Sequence, residues 1–292
     1  MSAVSPLRDR VILATKAAND RPATRENLRA ALDQSRKRLD VDVVDIYYLH
    51  RFDPVTPLHE TFEELARMQA EGLIRYIGVS NFAAWQVMKA QALCAWFGTK
   101  IDAMQPMYNL VKRQVEVEIL PACKDQGIAV CPYSPLGGGL LTGKYARGKT
   151  GRLTTDKTYA ARYGQGWMHR TATDLDKIAA GLGLDSATLA VAWVAANPCV
   201  TSTLISARAL DQLRPSLAAM ACDLDADTFS RITALSPTPA PATDRTKAGH
   251  PLFQLTADWH RHKRRGGTPF PNEGHLSVRI PHDWYNSGRS AC

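Results

Sequence analysis

The chain has 292 residues, of which 45% are hydrophobic, 22% charged and 8% aromatic. This balance supplies enough apolar side chain to offset the entropy of ordering, and it excludes a disordered, collagen-like or low-complexity chain. The net charge of +8 raises the question of nucleic-acid binding, but eight Lys/Arg against three Asp/Glu, a net +5, fall in residues 245–292, leaving about +3 for the 244 residues before them. Five of the eight histidines lie in the same segment. The basicity belongs to a tail rather than to the body, so no nucleic-acid partner is expected for the body. No apolar run approaches the ~20 residues that span a bilayer, and the first nine residues contain no apolar signal core. Cys94, Cys123, Cys131, Cys199, Cys222 and Cys292 form no CxxC pair and no metal-type spacing. They are expected to be reduced thiols of a cytoplasmic protein without a metal site or membrane partner.

In chain order, six apolar, β-branched-rich runs predict strands at residues 11–15, 43–50, 75–79, 101–106, 128–132 and 200–206. Helical spacing fills the intervals at 25–39, 58–71, 83–97, 114–125, 173–196 in two pieces, 209–220 and 225–235. Thr24 and Ser80 stand where N-caps or turn formers are expected. Near-continuous apolar strands alternating with helices predict an α/β protein with a parallel sheet covered on both faces. Residues 137–169 are Gly-rich and basic and read as a loop. Residues 237–241 end the periodic pattern, which divides the chain into a body at 1–242 and a basic tail at 243–292, expected to be irregular and disordered. Six βα units are two short of a (β/α)8 barrel. A doubly wound sheet is the rival architecture, but no GxGxxG follows the first strand.

Function in parallel α/β folds gathers at the carboxyl ends of the strands. Those ends carry, in turn, Lys16, His50, Ser80 with Asn81, Gln105, Tyr133 with Ser134, and Ser206 through Arg208. Each alone has an ordinary structural explanation, such as a solvated lysine or a helix-start Ser-Asn pair. Six consecutive polar or aromatic strand ends together describe the mouth of a barrel.

The segments Thr15-Lys16, Asp45-Ile46-Tyr47-Tyr48-Leu49-His50, Gly78-Val79-Ser80-Asn81-Phe82, Gln105-Pro106-Met107-Tyr108-Asn109, Tyr133-Ser134-Pro135-Leu136-Gly137 and Ile205-Ser206-Ala207-Arg208 resemble, in order and spacing, the aldo-keto reductase family. The resemblance covers about residues 8–235 and is nearest to the branch akin to the potassium-channel β subunits. It implies a (β/α)8 barrel of the TIM type that binds NADPH without a Rossmann motif and reduces a small carbonyl substrate. It also implies roles. His50 would polarise the carbonyl, and Lys16 would lower the pKa of a tyrosine acid. Ser80, Asn81 and Gln105 would hold the nicotinamide carboxamide, and Tyr133 would stack on its ring. Ser134, Leu136 and Gly138 would approach the pyrophosphate. Ser206, Arg208, Gln212 and Ser216 would meet the adenosine side, with Arg208 on the 2′-phosphate. Ser206 and Ser216 depart from the family's usual Gly and Asn.

The Asp and Tyr of the family's catalytic set have no match here. With the count of six units, this reads as a barrel lacking its first two βα units, in which Lys16 has no carboxylate partner and open sheet edges leave room for a homo-oligomer. The expected activity is NADPH-dependent reduction of aldehydes or ketones. The alternative is a regulatory, NADP-binding member without the proton donor.

Overall fold

The computed structural model describes residues 5–243, so the expectation of a disordered tail falls almost wholly outside the described residues. Five parallel strands run across one sheet in chain order: β1 (Ala14–Ala17), β2 (Val44–Leu49), β3 (Ile74–Ser80), β4 (Ile101–Gln105) and β5 (Ala129–Val130). The register pairs Lys16 with Tyr48, Tyr48 with Gly78, Ser80 with Gln105 and Met104 with Val130. Helices α1 (Arg25–Leu39), α2 (Leu58–Ala70), α3 (Ala84–Trp96) and α4 (Ile119–Asp125) return the chain between strands.

The helices start where local chemistry says they should. The Thr24 hydroxyl accepts from the Asn27 N–H and caps α1. That helix buries Leu28 and Leu32, and the Tyr47 hydroxyl donates to the Leu28 carbonyl at 2.8 Å, fixing helix to strand. Helix α2 buries Phe62, Leu65 and Met68 on one stripe. Ser80 does not cap a helix: it ends β3, and the cap of α3 is Ala83, whose N–H donates to the Gln86 side chain.

Three predicted strands are corrected. The first begins at Ala14 rather than residue 11, because pairing with β2 starts there; Val11 and Ile12 are 41% and 74% exposed. Lys16 therefore lies inside a strand rather than after one. The fifth shrinks to Ala129–Val130, since Pro132 has no N–H to donate. The ladder nevertheless continues, with Cys131 N–H to the Met104 carbonyl and Tyr133 N–H to the Pro106 carbonyl, both 2.9 Å. Residues 200–206 are not a regular strand, but they run along β5: Thr201 N–H donates to the Val130 carbonyl at 2.8 Å and Leu204 N–H to the Pro132 carbonyl at 2.9 Å. Among the described residues, no strand pairs with the outer edge of β1.

The expected loop at 137–169 is mostly helical. It holds a 3₁₀ turn (Gly137–Thr142), α5 (Arg152–Thr155), α6 (Lys157–Arg162) and the start of α7 (Gly166–Gly181). Asp156 caps α6 by accepting from Thr158 and Tyr159 N–H, a signal masked by the glycines around it. Helix 114–125 divides into a 3₁₀ turn at Gln114–Glu116 and α4, with Pro121 in the first turn of α4. Helices α8 (Ser186–Ala195), α9 (Leu210–Ala218) and α10 (Ala226–Thr233) complete the described residues. The core under them centres on Trp193, which packs 5.2 Å from Tyr108 and 5.9 Å from Phe229 and donates its indole N–H to Thr233. Among the described residues, no single helix is long and apolar enough to cross a membrane.

Candidate active site

Alternation along the strands decides which side chains meet. On β2, Tyr47 faces α1, so Tyr48 and His50 face the opposite side of the sheet. The register then places Lys16, Tyr48 and Gly78 in one layer. His50, Ser80, Gln105 and Cys131 form the layer above it, at the carboxyl ends.

The lower layer is organised by Tyr48. Its ring lies across Gly78, where a Cβ would come within 2.4 Å of Tyr48 Cδ1. Glycine is required there by close approach rather than by backbone conformation. Burial pushes the Tyr48 hydroxyl pKa well above the ordinary tyrosine value. Lys16 Nζ sits 5.4 Å from the Tyr48 ring centroid, a cation–π contact worth about 0.5–1 kcal/mol. No carboxylate lies within ion-pairing distance of Lys16 among the described residues. Burial therefore lowers the lysine pKa without compensation. His50 is also held below the ordinary imidazole value, first by burial and then by the Lys16 charge. Sequence reasoning gave Lys16 and His50 as the site but missed Gly78 and Cys131; the alternation of β2, which puts residue 48 beneath residue 50, was the signal that could have found them.

The upper layer is a network of neutral groups. The Ser80 hydroxyl donates to the Gln105 carbonyl at 2.7 Å. The Asn81 amide donates to the His50 carbonyl at 2.9 Å and to Ser80 Oγ at 3.1 Å, while its Oδ1 accepts from the Tyr133 hydroxyl at 2.7 Å. Tyr133 thus leans across the mouth from the end of β5 to the end of β3. Burial raises its pKa. Three non-glycine residues adopt left-handed backbone at this end: Ala18 (φ 61°), Asn81 (φ 57°) and Ser134 (φ 61°). Such conformations cost about 1–2 kcal/mol each outside Gly and Asn and gather at functional sites.

Around the mouth, Asn109 donates to the Ser134 carbonyl at 2.9 Å and to the Tyr163 hydroxyl at 3.4 Å, tying the 133–136 turn to α6 and its C-cap. Gly138 has φ 66°, and a Cβ there would meet the Tyr159 ring at 2.7 Å; Leu136 packs against the core. The structure does not gather all the predicted residues equally. Ser206, Arg208 and Gln212 stand exposed at the start of α9 and just before it, whereas Ser216 is buried on that helix.

These residues fit a nicotinamide nucleotide by the chemistry of their donors. Lys16 and His50 lie beside a neutral set of amides and hydroxyls with no carboxylate among them, which suits a carboxamide and a developing negative charge. Arg208 is free of ion pairs among the described residues, as a phosphate ligand requires. Among the described residues, no group of His, Cys, Asp or Glu is arranged to hold a metal ion.

Comparison with known proteins settles the family. Residues 3–237 match the Aldo/keto reductase family. This chain is an aldo/keto reductase family member. It is 34% identical over 256 residues to the uncharacterized oxidoreductase YrpG of Bacillus subtilis, covering 82% of this chain and 76% of that one. It is 33% identical over 233 residues to a protein named as a probable voltage-gated potassium channel subunit beta of Oryza sativa, with 73% and 69% covered. It is 32% identical over 259 residues to protein tas of Escherichia coli, with 78% and 75% covered. The parallel α/β sheet agrees with the TIM-barrel-like fold of aldo/keto reductases, and the oxidoreductase-named relatives support a general aldo/keto reductase activity. Family members generally use NAD(P)H.

Proposed function

We propose that this protein uses NADPH to reduce aldehydes or ketones to alcohols in the cytoplasm. The observation that supports the reading most is the placement of His50 in one layer with Ser80 and Gln105, with Lys16 on the adjacent strand one layer beneath. The cofactor, when bound, supplies the hydride. Ser80, Asn81 and Gln105 hold its carboxamide, Tyr133 covers its ring, and Arg208 offers a planar guanidinium to the 2′-phosphate. His50 donates a hydrogen bond to the carbonyl oxygen as negative charge builds there, and the Lys16 charge stabilises that oxygen from below.

One observation favours a second reading. Among the described residues, the tyrosine whose ring Lys16 lies against is Tyr48, and that ring is almost wholly buried, with burial holding its hydroxyl protonated. A site without a free tyrosine acid would bind the nucleotide yet turn over slowly, as a regulatory subunit does. Losing a general acid costs on the order of 10²–10⁴-fold in rate.

NADPH fluorescence titration followed by aldehyde turnover separates the two. The first reading expects NADPH binding and turnover that Lys16→Met abolishes. Binding without turnover gives the second reading, and absence of binding overturns both.

A further inference from the structure

Helix α3 is apolar on both of its faces. Its inner face buries Val87, Ala90 and Cys94. Its outer face carries Trp85, Met88 and Trp96, which are 60%, 39% and 83% exposed, with Ala92 and Ala95 exposed between and beside them. At 3.6 residues per turn, Trp85, Ala92 and Trp96 fall within about 40° of one line along the helix, opposite the buried three. Lys89 is the one charged residue among the thirteen of this helix. A helix packed on one side ordinarily puts charged and polar residues on the side that meets water. Here that side holds two indoles. Scattered exposed leucines are ordinary, but two exposed tryptophans in line on one helix mark a surface that is meant to be covered. Trp85 rests against Phe52 with ring centroids 5.8 Å apart, and Phe52 rests against Phe82 at 5.4 Å. Trp96 has no ring contact among the described residues.

We propose that two copies of this chain meet at this face, α3 packing antiparallel against α3 of a second copy about a two-fold axis. The homo-oligomer then forms through a helix rather than through an open sheet edge. A two-fold interface must be complementary to itself, and this stripe is. With the axis midway along it, Trp85 of each copy lies over Trp96 of the other. The small side chain of Ala92 lets the helix axes approach to the usual 8–10 Å. Lys89 stands at the border of the stripe, where its stem covers apolar surface while its ammonium reaches water. The two indoles alone, at about 150–250 Å² each when fully covered, leave about 300 Å² for a partner to bury. With Met88 and the alanines, and counted on both copies, the pair removes on the order of 1,000 Å² from water, the low end for a specific interface, so dimer and monomer exchange. Phe52 comes two residues after His50, so covering Trp85 also braces the loop that leaves the candidate active site. The inference does not rest on the reductase reading.

The test is sedimentation equilibrium of the full chain across the micromolar range, without nucleotide. The mass should rise with concentration from the 32.1 kDa monomer toward twice that value. Trp96→Lys changes a side chain that is already in water, so its circular dichroism should match the wild type. It should weaken association about tenfold or more, as loss of an interface tryptophan does. Met220→Lys serves as the control, because Met220 is 89% exposed and lies outside this helix. It should leave the association unchanged, which non-specific clustering of apolar surface would not show. A chain that keeps the monomer mass throughout overturns the proposal. So does a dimer that Trp96→Lys leaves intact, or one that Met220→Lys weakens as much.

Discussion

The two ends of the sheet are built on opposite electrostatic terms. At the amino end, Asp45 is almost wholly buried, and each of its oxygens is answered. Arg8 donates to both at 2.7 and 3.0 Å, Arg75 to one at 2.6 Å, and the Leu13 N–H to the other at 2.7 Å. Burial pushes the Asp45 pKa up, but the Arg8 hydrogen bond, the Leu13 N–H and the two guanidinium charges outweigh it and hold the carboxyl below its ordinary value. At the carboxyl end, Lys16 and His50 are part-buried and in no ion pair among the described residues; burial lowers both pKa values, and for His50 the Lys16 charge adds to it while Asp20 opposes it. Neighbouring backbone there is left-handed at Ala18, Asn81 and Ser134. One end spends its charges on holding strands together, and the other keeps them available for chemistry at some cost in stability.

The largest test of this contrast is Asp45→Ala. It removes the buried carboxylate that answers the partly exposed Arg8 and the Leu13 N–H, and it should lower the unfolding free energy by about 1–3 kcal/mol, read from urea denaturation. Its pH dependence follows from the lowered pKa. The contribution is present above the unfolded value of about 4 and is lost as pH falls through the folded value. Wild type and variant should therefore converge in stability as the solution is acidified, while NADPH binding at neutral pH stays the same. Convergence that fails to appear would mean that Asp45 does not hold the amino end through its charge.

The next effect is at the layer beneath the site. Gly78→Ala drives a methyl into the Tyr48 ring and should cost about 1–3 kcal/mol, as overpacking does. The double variant Gly78→Ala, Tyr48→Leu should recover part of that loss. If Gly78→Ala is neutral, Tyr48 is not pinned against the glycine and the lower layer is looser than its geometry implies. The smallest effect is in the titration of His50. Its depressed pKa means that the histidine contributes stability above its unfolded value of about 6.5, and that this is lost as pH falls through the folded value. Lys16→Gln removes one of its two main causes, so the His50 resonance should titrate at a higher pH than in the wild type while staying below an exposed histidine.

The sequence carried the strand-ends well and the reasons for them less well. Apolar runs set the order of βα units, and helix α1 was legible to the residue because Thr24, two buried leucines and a periodic stripe agree. Lys16, His50, Ser80, Asn81, Gln105 and Tyr133 do converge at one mouth. What failed was anything decided by pairing across the sheet. Val11 and Ile12 have the composition of a strand, but hydrogen bonding to β2 begins only at Ala14. Residues 200–206 follow β5 without regular ladder geometry, and the glycines of 137–151 hid the capped turns that follow them. The need for Gly78 was invisible too, because it arises from a ring on the next strand rather than from the chain's own backbone.

The order of the sheet, β1-β2-β3-β4-β5, has a consequence for how the protein is made. Among the described residues, each strand after β1 lies beside the one synthesised just before it, and none waits for a distant partner. The loops that close are short by comparison with the chain, and their entropic cost grows only slowly with length. A ribosome feeding out this chain delivers each helix and then the strand it returns to, so the lower layer of Lys16, Tyr48 and Gly78 is complete once residue 80 has emerged. The mouth that closes over it needs Gln105 and Tyr133, and so it is assembled later, from the top of the scaffold already in place.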